Sequence, residues 1–216
     1  VGQVSDRAVR FTRIGLREGL SQSSVFSLCQ DYLGFMWVGT RDGLNRYDAR
    51  KFVTYRNIPS DTTSLTDNYI MSLLEDHKKR LWVGTSSGIN LYDRYTDSFK
   101  RFPLANNQSG NTFSEPIVSA IVEDRSGRLW FATSQGLYCL EEGEDSRQLV
   151  LVFDAAMYSE QGVPLGCNNV QSFYDDEQGN IWLSTVNGVL VFEPYRPGSA
   201  LRLTRHFRRR PGELNS

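Results

Sequence analysis

Four short apolar runs recur along the chain, at Val25 to Leu28, Ile70 to Leu73, Val118 to Val122 and Val170 to Phe173. Each ends in a polar turn carrying Asp and is followed by a second apolar run centred on tryptophan. Runs this short, bounded by Asp and Gly, predict β-strands. A third run follows in every case (Leu44 to Tyr47, Ile89 to Tyr92, Leu137 to Leu140, Val189 to Phe192), then a fourth (Phe52 to Tyr55, Phe99 to Phe102, Leu149 to Phe153, Leu201 to Phe207).

The repetition is residue-specific. All four tryptophans, Trp37, Trp82, Trp130 and Trp182, sit in one motif at spacings of 45, 48 and 52 residues. Around each, an Asp stands six before (Asp31, Asp76, Asp124, Asp176), a Thr three after (Thr40, Thr85, Thr133, Thr185) and a Gly six after (Gly43, Gly88, Gly136, Gly188). A Gly three before the Trp appears as Gly34, Gly127 and Gly179; Lys79 replaces it in the second unit, which implies a turn built differently there.

Four strands in a unit of about 45 residues is the arithmetic of a propeller blade. The expected fold is therefore all-β: a β-propeller with four blades of four antiparallel strands, over about 24–56, 69–103, 117–155 and 169–208. The Trp and the aliphatic face of each blade should pack on the next blade. The Asp should cap turn N–H groups, and the Gly after the Thr should admit the positive φ of a tight hairpin. An outer strand left over at about 11–16, with Gly19-Leu20-Ser21 behind it, reads as the end of a preceding blade, and the chain stops at the matching point, residues 212–216. The expectation is a fragment of a larger propeller.

Composition narrows the function. With 24 basic and 25 acidic residues the formal net charge is -1, so no long-range field favours nucleic acid or an anionic membrane. The longest apolar stretches, such as Leu149 to Phe153, fall far short of the roughly 18 residues that a span needs, so direct membrane insertion is not expected. The chain starts at Val1 without a charged-then-apolar leader, so location must be argued from elsewhere. Cys29, Cys139 and Cys167 are odd in number and isolated, against a disulfide framework or a zinc site, and Cys29 and Cys139 read as strand residues. Asp175-Asp176-Glu177 lacks the spacing of a calcium loop, and His77 and His206 read as surface residues. The basic run Arg205 to Arg210 reads as a solvated loop or interdomain contact. No metal, cofactor or catalytic residue is assigned.

The stretch from Ser27 to Asp48, and its second copy from Leu81 to Asp93, resembles the two-component regulator propeller repeat. The resemblance covers about residues 11–216, and the later units depart from it at Ala132 and Ser184, where the pattern has Gly. It implies a non-enzymatic periplasmic sensor region of a bacterial hybrid two-component histidine kinase, in the family usually two seven-bladed propellers followed by a sandwich domain, a membrane span, a kinase and a DNA-binding regulator. Partners implied are an oligosaccharide or other small ligand, the missing blades, the downstream sandwich domain and a second copy in a homodimer.

In the usual strand order, the loops from second to third strand share a face with those from a fourth strand to the next blade. That selects Arg41 and Asp42, Ser86 and Ser87, Ser134 and Gln135, and Val186 and Asn187, which vary on a constant frame. The neighbouring interblade loops add Asn68 and Tyr69, Glu115 and Pro116, and Asn168 and Asn169. From these, Arg41, Asp42, Tyr69, Ser87, Gln135, Asn169 and Asn187 are the candidate ligand contacts, offering amide, hydroxyl, charged and aromatic groups to sugar hydroxyls and ring faces. Two other readings compete. A protein-interaction scaffold would show an exposed patch and no pocket. A propeller glycosidase or lyase would need two converging carboxylates or an acid and a base, whereas the obvious acids here come one per blade.

Overall fold

The computed structural model describes residues 11–102, 116–142, 147–155, 158–160, 163–164 and 169–208. Four antiparallel sheets of four strands coincide with the four repeats. Blade 1 holds β1 (Val25–Gln30), β2 (Met36–Thr40), β3 (Gly43–Tyr47) and β4 (Phe52–Tyr55), and blade 2 holds β5 (Ile70–Glu75), β6 (Leu81–Thr85), β7 (Gly88–Asp93) and β8 (Ser98–Phe102). Blade 3 holds β9 (Val118–Glu123), β10 (Leu129–Thr133), β11 (Gly136–Glu142) and β12 (Arg147–Phe153). A small hairpin, β13 (Ser159–Glu160) with β14 (Val163–Pro164), precedes blade 4, formed by β15 (Val170–Asp175), β16 (Ile181–Thr185), β17 (Gly188–Phe192) and β18 (Leu203–Phe207). No sequence signal marked that hairpin.

Blades are joined through their inner strands, which pack in the order β1, β5, β9, β15. Every inner strand carries a bulge at the same place, leaving Phe26, Met71, Ser119 and Gln171 without a cross-strand partner. The bulge sets the following residue opposite a small one: Ser27 faces Gly39, Ser72 faces Gly84, Ala120 faces Ala132 and Ser172 faces Ser184. Smallness is required there because the next blade arrives on the same spot. A Cβ on Gly39 would lie 2.3 Å from Ser27 Oγ and 2.8 Å from Ile70 Cγ2, and one on Gly84 2.2 Å from Ser72 Oγ and 2.7 Å from Val118 Cγ1.

The first three tryptophans are each gripped by the following blade. Trp37 meets Tyr92 at 4.8 Å between ring centroids, Trp82 meets Phe131 at 5.4 Å, and Trp130 stacks on Phe173 at 5.0 Å. Trp37, Trp82 and Trp130 are fully buried, while Trp182, which stacks on Phe207 of its own blade, is half-buried. The opposite end mirrors this. Ile70, Val118 and Val170 are fully buried against the blade before them, yet their counterpart Val25 is 42% exposed and Leu28 is 62% exposed. Full burial of such a side chain is worth about 1.5–3 kcal/mol, so both ends of the array carry unspent apolar surface.

Two expectations are corrected. The turn at Lys79 is built like the others: its N–H donates to Asp76 O at 2.8 Å, as Gly34 does to Asp31 O at 2.8 Å, and Lys79 adopts φ 62° to do so. The carboxylate cap and the strand pairing on both sides over-determine the turn, so the side chain accepts left-handed backbone. Residues 11–14 form no strand, and Leu16–Glu18 make a single 3-10 turn. A strand needs a partner edge, and each sheet already has its own fourth strand. The segment behind it is instead tied to the blade it leads into: Asn45 Oδ1 accepts the Ser21 N–H at 3.1 Å and Asn45 Nδ2 donates to Ser21 Oγ at 2.8 Å. Asn90 repeats the arrangement with Thr66, at 3.0 and 2.9 Å.

Candidate ligand-binding face

The turn between second and third strands is fixed by its Thr and Gly. Thr40 Oγ1 donates to Gly43 O at 2.9 Å and accepts the Asp42 N–H at 3.1 Å. Thr85 treats Gly88 O and the Ser87 N–H the same way, Thr133 serves Gly136 O and the Gln135 N–H, and Thr185 serves Gly188 O and the Asn187 N–H. Gly43 sits at φ 108°, and a Cβ there would stand 2.5 Å from Tyr55 O, so no other residue fits. Thr and Gly hold the backbone of each turn in the same way, while the two tip residues differ from blade to blade.

Interblade loops are stitched to these turns from both sides. The Gly43 N–H donates to Asn68 O at 2.7 Å and the Ser86 N–H to Tyr69 O at 3.0 Å; one blade on, Gly88 donates to Pro116 O and Ser134 to Ile117 O. The two loop classes therefore share one face. Arg41, exposed, places its guanidinium carbon 5.1 Å from the Tyr69 ring centroid, and Tyr69 meets Phe26 edge-on at 4.8 Å. Asp42 is committed elsewhere: Arg56 holds it at 3.1 and 2.9 Å, and those bonds keep its carboxyl below the usual range. Ser87, Gln135 and Asn187 occupy the equivalent turns of the later blades, and Asn169 stands immediately before β15. Glu115 and Asn168 lie outside the described residues, as does Cys167.

At the other end of the strands the repeated Asp side chains do structural work. Asp31 Oδ2 accepts the Trp37 indole N–H at 2.8 Å while Oδ1 takes the N–H groups of Leu33 and Phe35. Asp76, Asp124 and Asp176 bind Trp82, Trp130 and Trp182 at 2.9, 2.9 and 3.0 Å. Burial pushes the Asp31 and Asp124 carboxyls up, but the indole, arginine and turn N–H donors outweigh it and hold both below the usual value. The Trp182 and Asn180 side chains hold Asp176 at about 2. These carboxylates cap turns and anchor tryptophans.

Sequence reasoning missed a second lock on this face. The residue before the cap Asp reaches back to the preceding blade: Glu75 accepts the Tyr32 N–H at 2.9 Å, Glu123 the His77 N–H at 3.0 Å, and Asp175 the Arg125 N–H at 3.2 Å. An acid beside the cap Asp in three repeats was the available signal, with Gln30 at that place in the first. Between the Asp-bearing turns of blades 3 and 4 lies a groove of about 450 Å³, lined among others by Arg125, Ser126, Asp175, Glu177, Pro194 and Tyr195. It opens on the face opposite the predicted contacts. Among the described residues no three His, Cys, Asp or Glu side chains converge for a metal, and no helix is long and apolar enough to cross a membrane.

The family profile described as two component regulator propeller matches residues 19–42, 64–87, 112–135 and 164–187, one match per blade. These are two-component regulator propeller repeats. Over 49 residues, 23% of this chain and 4% of the relative, the sequence is 57% identical to histidine kinase P4 of Formosa agariphila. The extracellular domain of a putative hybrid two component system from B. thetaiotaomicron superposes with a TM-score of 0.72 at 23% identity, over 91% of this chain and 26% of that one. A catalytically inactive virginiamycin B lyase from Staphylococcus aureus superposes with a TM-score of 0.58 at 12% identity, over 93% of this chain and 61% of that one. At such identities the two structures share the propeller architecture alone with these regulator propeller repeats. The chain spans a small part of the kinase relative and about a quarter of the extracellular domain.

Proposed function

We propose that this chain is a periplasmic ligand-sensing segment of a hybrid two-component sensor histidine kinase, non-catalytic in itself, and that its ligand is an oligosaccharide. The observation that carries the reading is the variable pair at each Thr-x-x-Gly turn, held on a constant frame across the blades and facing one way with the interblade loops. The one-per-blade family match and the kinase relative support the receptor context. On this reading Arg41, Tyr69, Ser87, Gln135, Asn169 and Asn187 contribute contacts, with Tyr69 and Phe26 offering ring faces to sugar carbons; Asp42 acts through Arg56. Further blades of the parent propeller cover the apolar ends at Val25, Leu28 and Trp182, and binding biases the geometry of the blades, the downstream sandwich domain or a homodimer.

Calorimetry against a panel of oligosaccharides, with this chain and with the full sensor region, tests the proposal. Saturable binding of one glycan by the full region, weakened about tenfold or more by Arg41→Ala or Asn187→Ala, is the expected result. Binding of a protein partner with no glycan response would replace the sensor reading by the scaffold reading, and turnover of a glycan would replace it by the lyase or glycosidase reading.

A further inference from the structure

Three interblade junctions can be compared position by position on the face that carries the Asp turns. The residue twelve after each Trp is Arg94 in blade 2, Glu142 in blade 3 and Pro194 in blade 4; Arg94 and Glu142 reach the turn of the preceding blade, whereas Pro194 lies beside Gly179 in the turn of its own blade. At the first junction Arg94 fills the space, with its guanidinium 2.8 Å from Asp31 Oδ2 and 2.7 Å from Glu75 Oε2. At the second, Glu142 is paired by Lys78 and Arg80, with Arg147 at 3.3 Å. At the third, Pro194 has no group to extend, and the groove of about 450 Å³ stands in that place.

The charges of the groove follow. Asp124 is satisfied by Arg128 at 2.7 Å. Asp175, the counterpart of Glu75, takes the Arg125 N–H and has no cation partner among the described residues, whereas Glu75 has Arg94. Asp176 is held by neutral Asn180 and Trp182 where Asp31, Asp76 and Asp124 each have an arginine. Glu177 is exposed and forms no ion pair among the described residues. The cations lining the groove are Arg128, already used, and Arg125, exposed and without an ion pair among the described residues. Carboxylates outnumber cations, and the sister junction shows what this architecture accepts between two such turns.

We propose that the groove between blades 3 and 4 is a docking site for an arginine side chain of a partner segment, its guanidinium bridging Asp175 and the neighbouring carboxylates as Arg94 bridges Asp31 and Glu75. A guanidinium suits the place because its planar fork can serve carboxylates on two blades at once. The site lies on the face opposite the glycan contacts, so ligand binding on one face and partner docking on the other need not compete.

The folded chain is titrated with the probe acetyl-Gly-Arg-Gly-amide and with its citrulline counterpart, following amide resonances by NMR. Saturable shifts at Arg125, Ser126, Asp175 and Gln178 with the arginine peptide, absent with citrulline, are expected. Asp175→Asn and Glu177→Gln should each weaken binding several-fold, about tenfold for the first. Pro194→Arg should abolish it by filling the groove from within, while leaving the rest of the spectrum in place. Equal shifts with both peptides, no shifts at these amides, or undiminished binding by Pro194→Arg would overturn the proposal.

Discussion

The guanidinium of Arg94 in blade 2 bonds Asp31 of blade 1 at 2.8 Å, across 63 residues of sequence. In blades 2 and 3 the cap Asp finds its arginine four residues on, at Arg80 and Arg128, but blade 1 has Phe35 in that position and receives the cation from its neighbour. Arg94→Ala removes a charged hydrogen bond from a buried carboxylate and should cost about 2–3 kcal/mol. Phe35→Arg in the same background should restore part of that loss. Denaturant midpoints of the two variants check this, and a neutral Arg94→Ala would show that Asp31 is satisfied by the indole and turn N–H groups alone.

Gly84 sits where Ser72 and Val118 leave no room for a methyl group. Gly84→Ala should destabilise by about 1–3 kcal/mol through overpacking. Adding Ser72→Ala recreates the Ala120 and Ala132 pair of blade 3 and should recover part of the cost, although the Ser72 Oγ bond to Val118 O at 3.0 Å is lost. Additive losses in the double variant would rule out the steric account.

Lys79 holds φ 62° in a turn that uses glycine in the other three blades. Lys79→Gly should therefore stabilise the chain by about 1 kcal/mol, and Gly34→Ala should cost a similar amount. Thermal unfolding of both variants provides the comparison; a destabilising Lys79→Gly would mean that the contact of Lys79 with the Tyr32 ring outweighs the strain.

Stability should fall at acid pH for a defined reason. The carboxyls of Asp31, Asp124 and Asp176 titrate lower in the folded state than the ordinary 3.8, so the unfolded chain binds more protons as pH falls. Their contribution is complete above the ordinary carboxylate range and is lost as pH falls through the folded values, which for Asp176 means toward about 2. The melting temperature should hold steady from neutral pH to about pH 5 and drop between about 4 and 2. An unchanged melting temperature down to pH 2 would remove the caps from the account of stability.

The recurrence of Asp, Trp, Thr and Gly at constant offsets was enough to specify four blades, the capped turns and the common face of the tip residues, because those features arise within a few residues of one another through strand alternation and turn chemistry. Arg41 and Tyr69 could be placed on that face from topology, but their contact could not, since it joins the turn of one blade to the loop leading into the next. The left-handed turn at Lys79 is not legible from its residue type, because the Asp76 cap and the flanking strands impose that conformation on a residue other than glycine. The locks from Glu75 to Tyr32 and from Arg94 to Asp31, and the groove left by Pro194, were decided only by tertiary structure. They pair side chains from separate repeats, and a local pattern sets where each blade forms without determining which charges meet when two blades come to rest against each other.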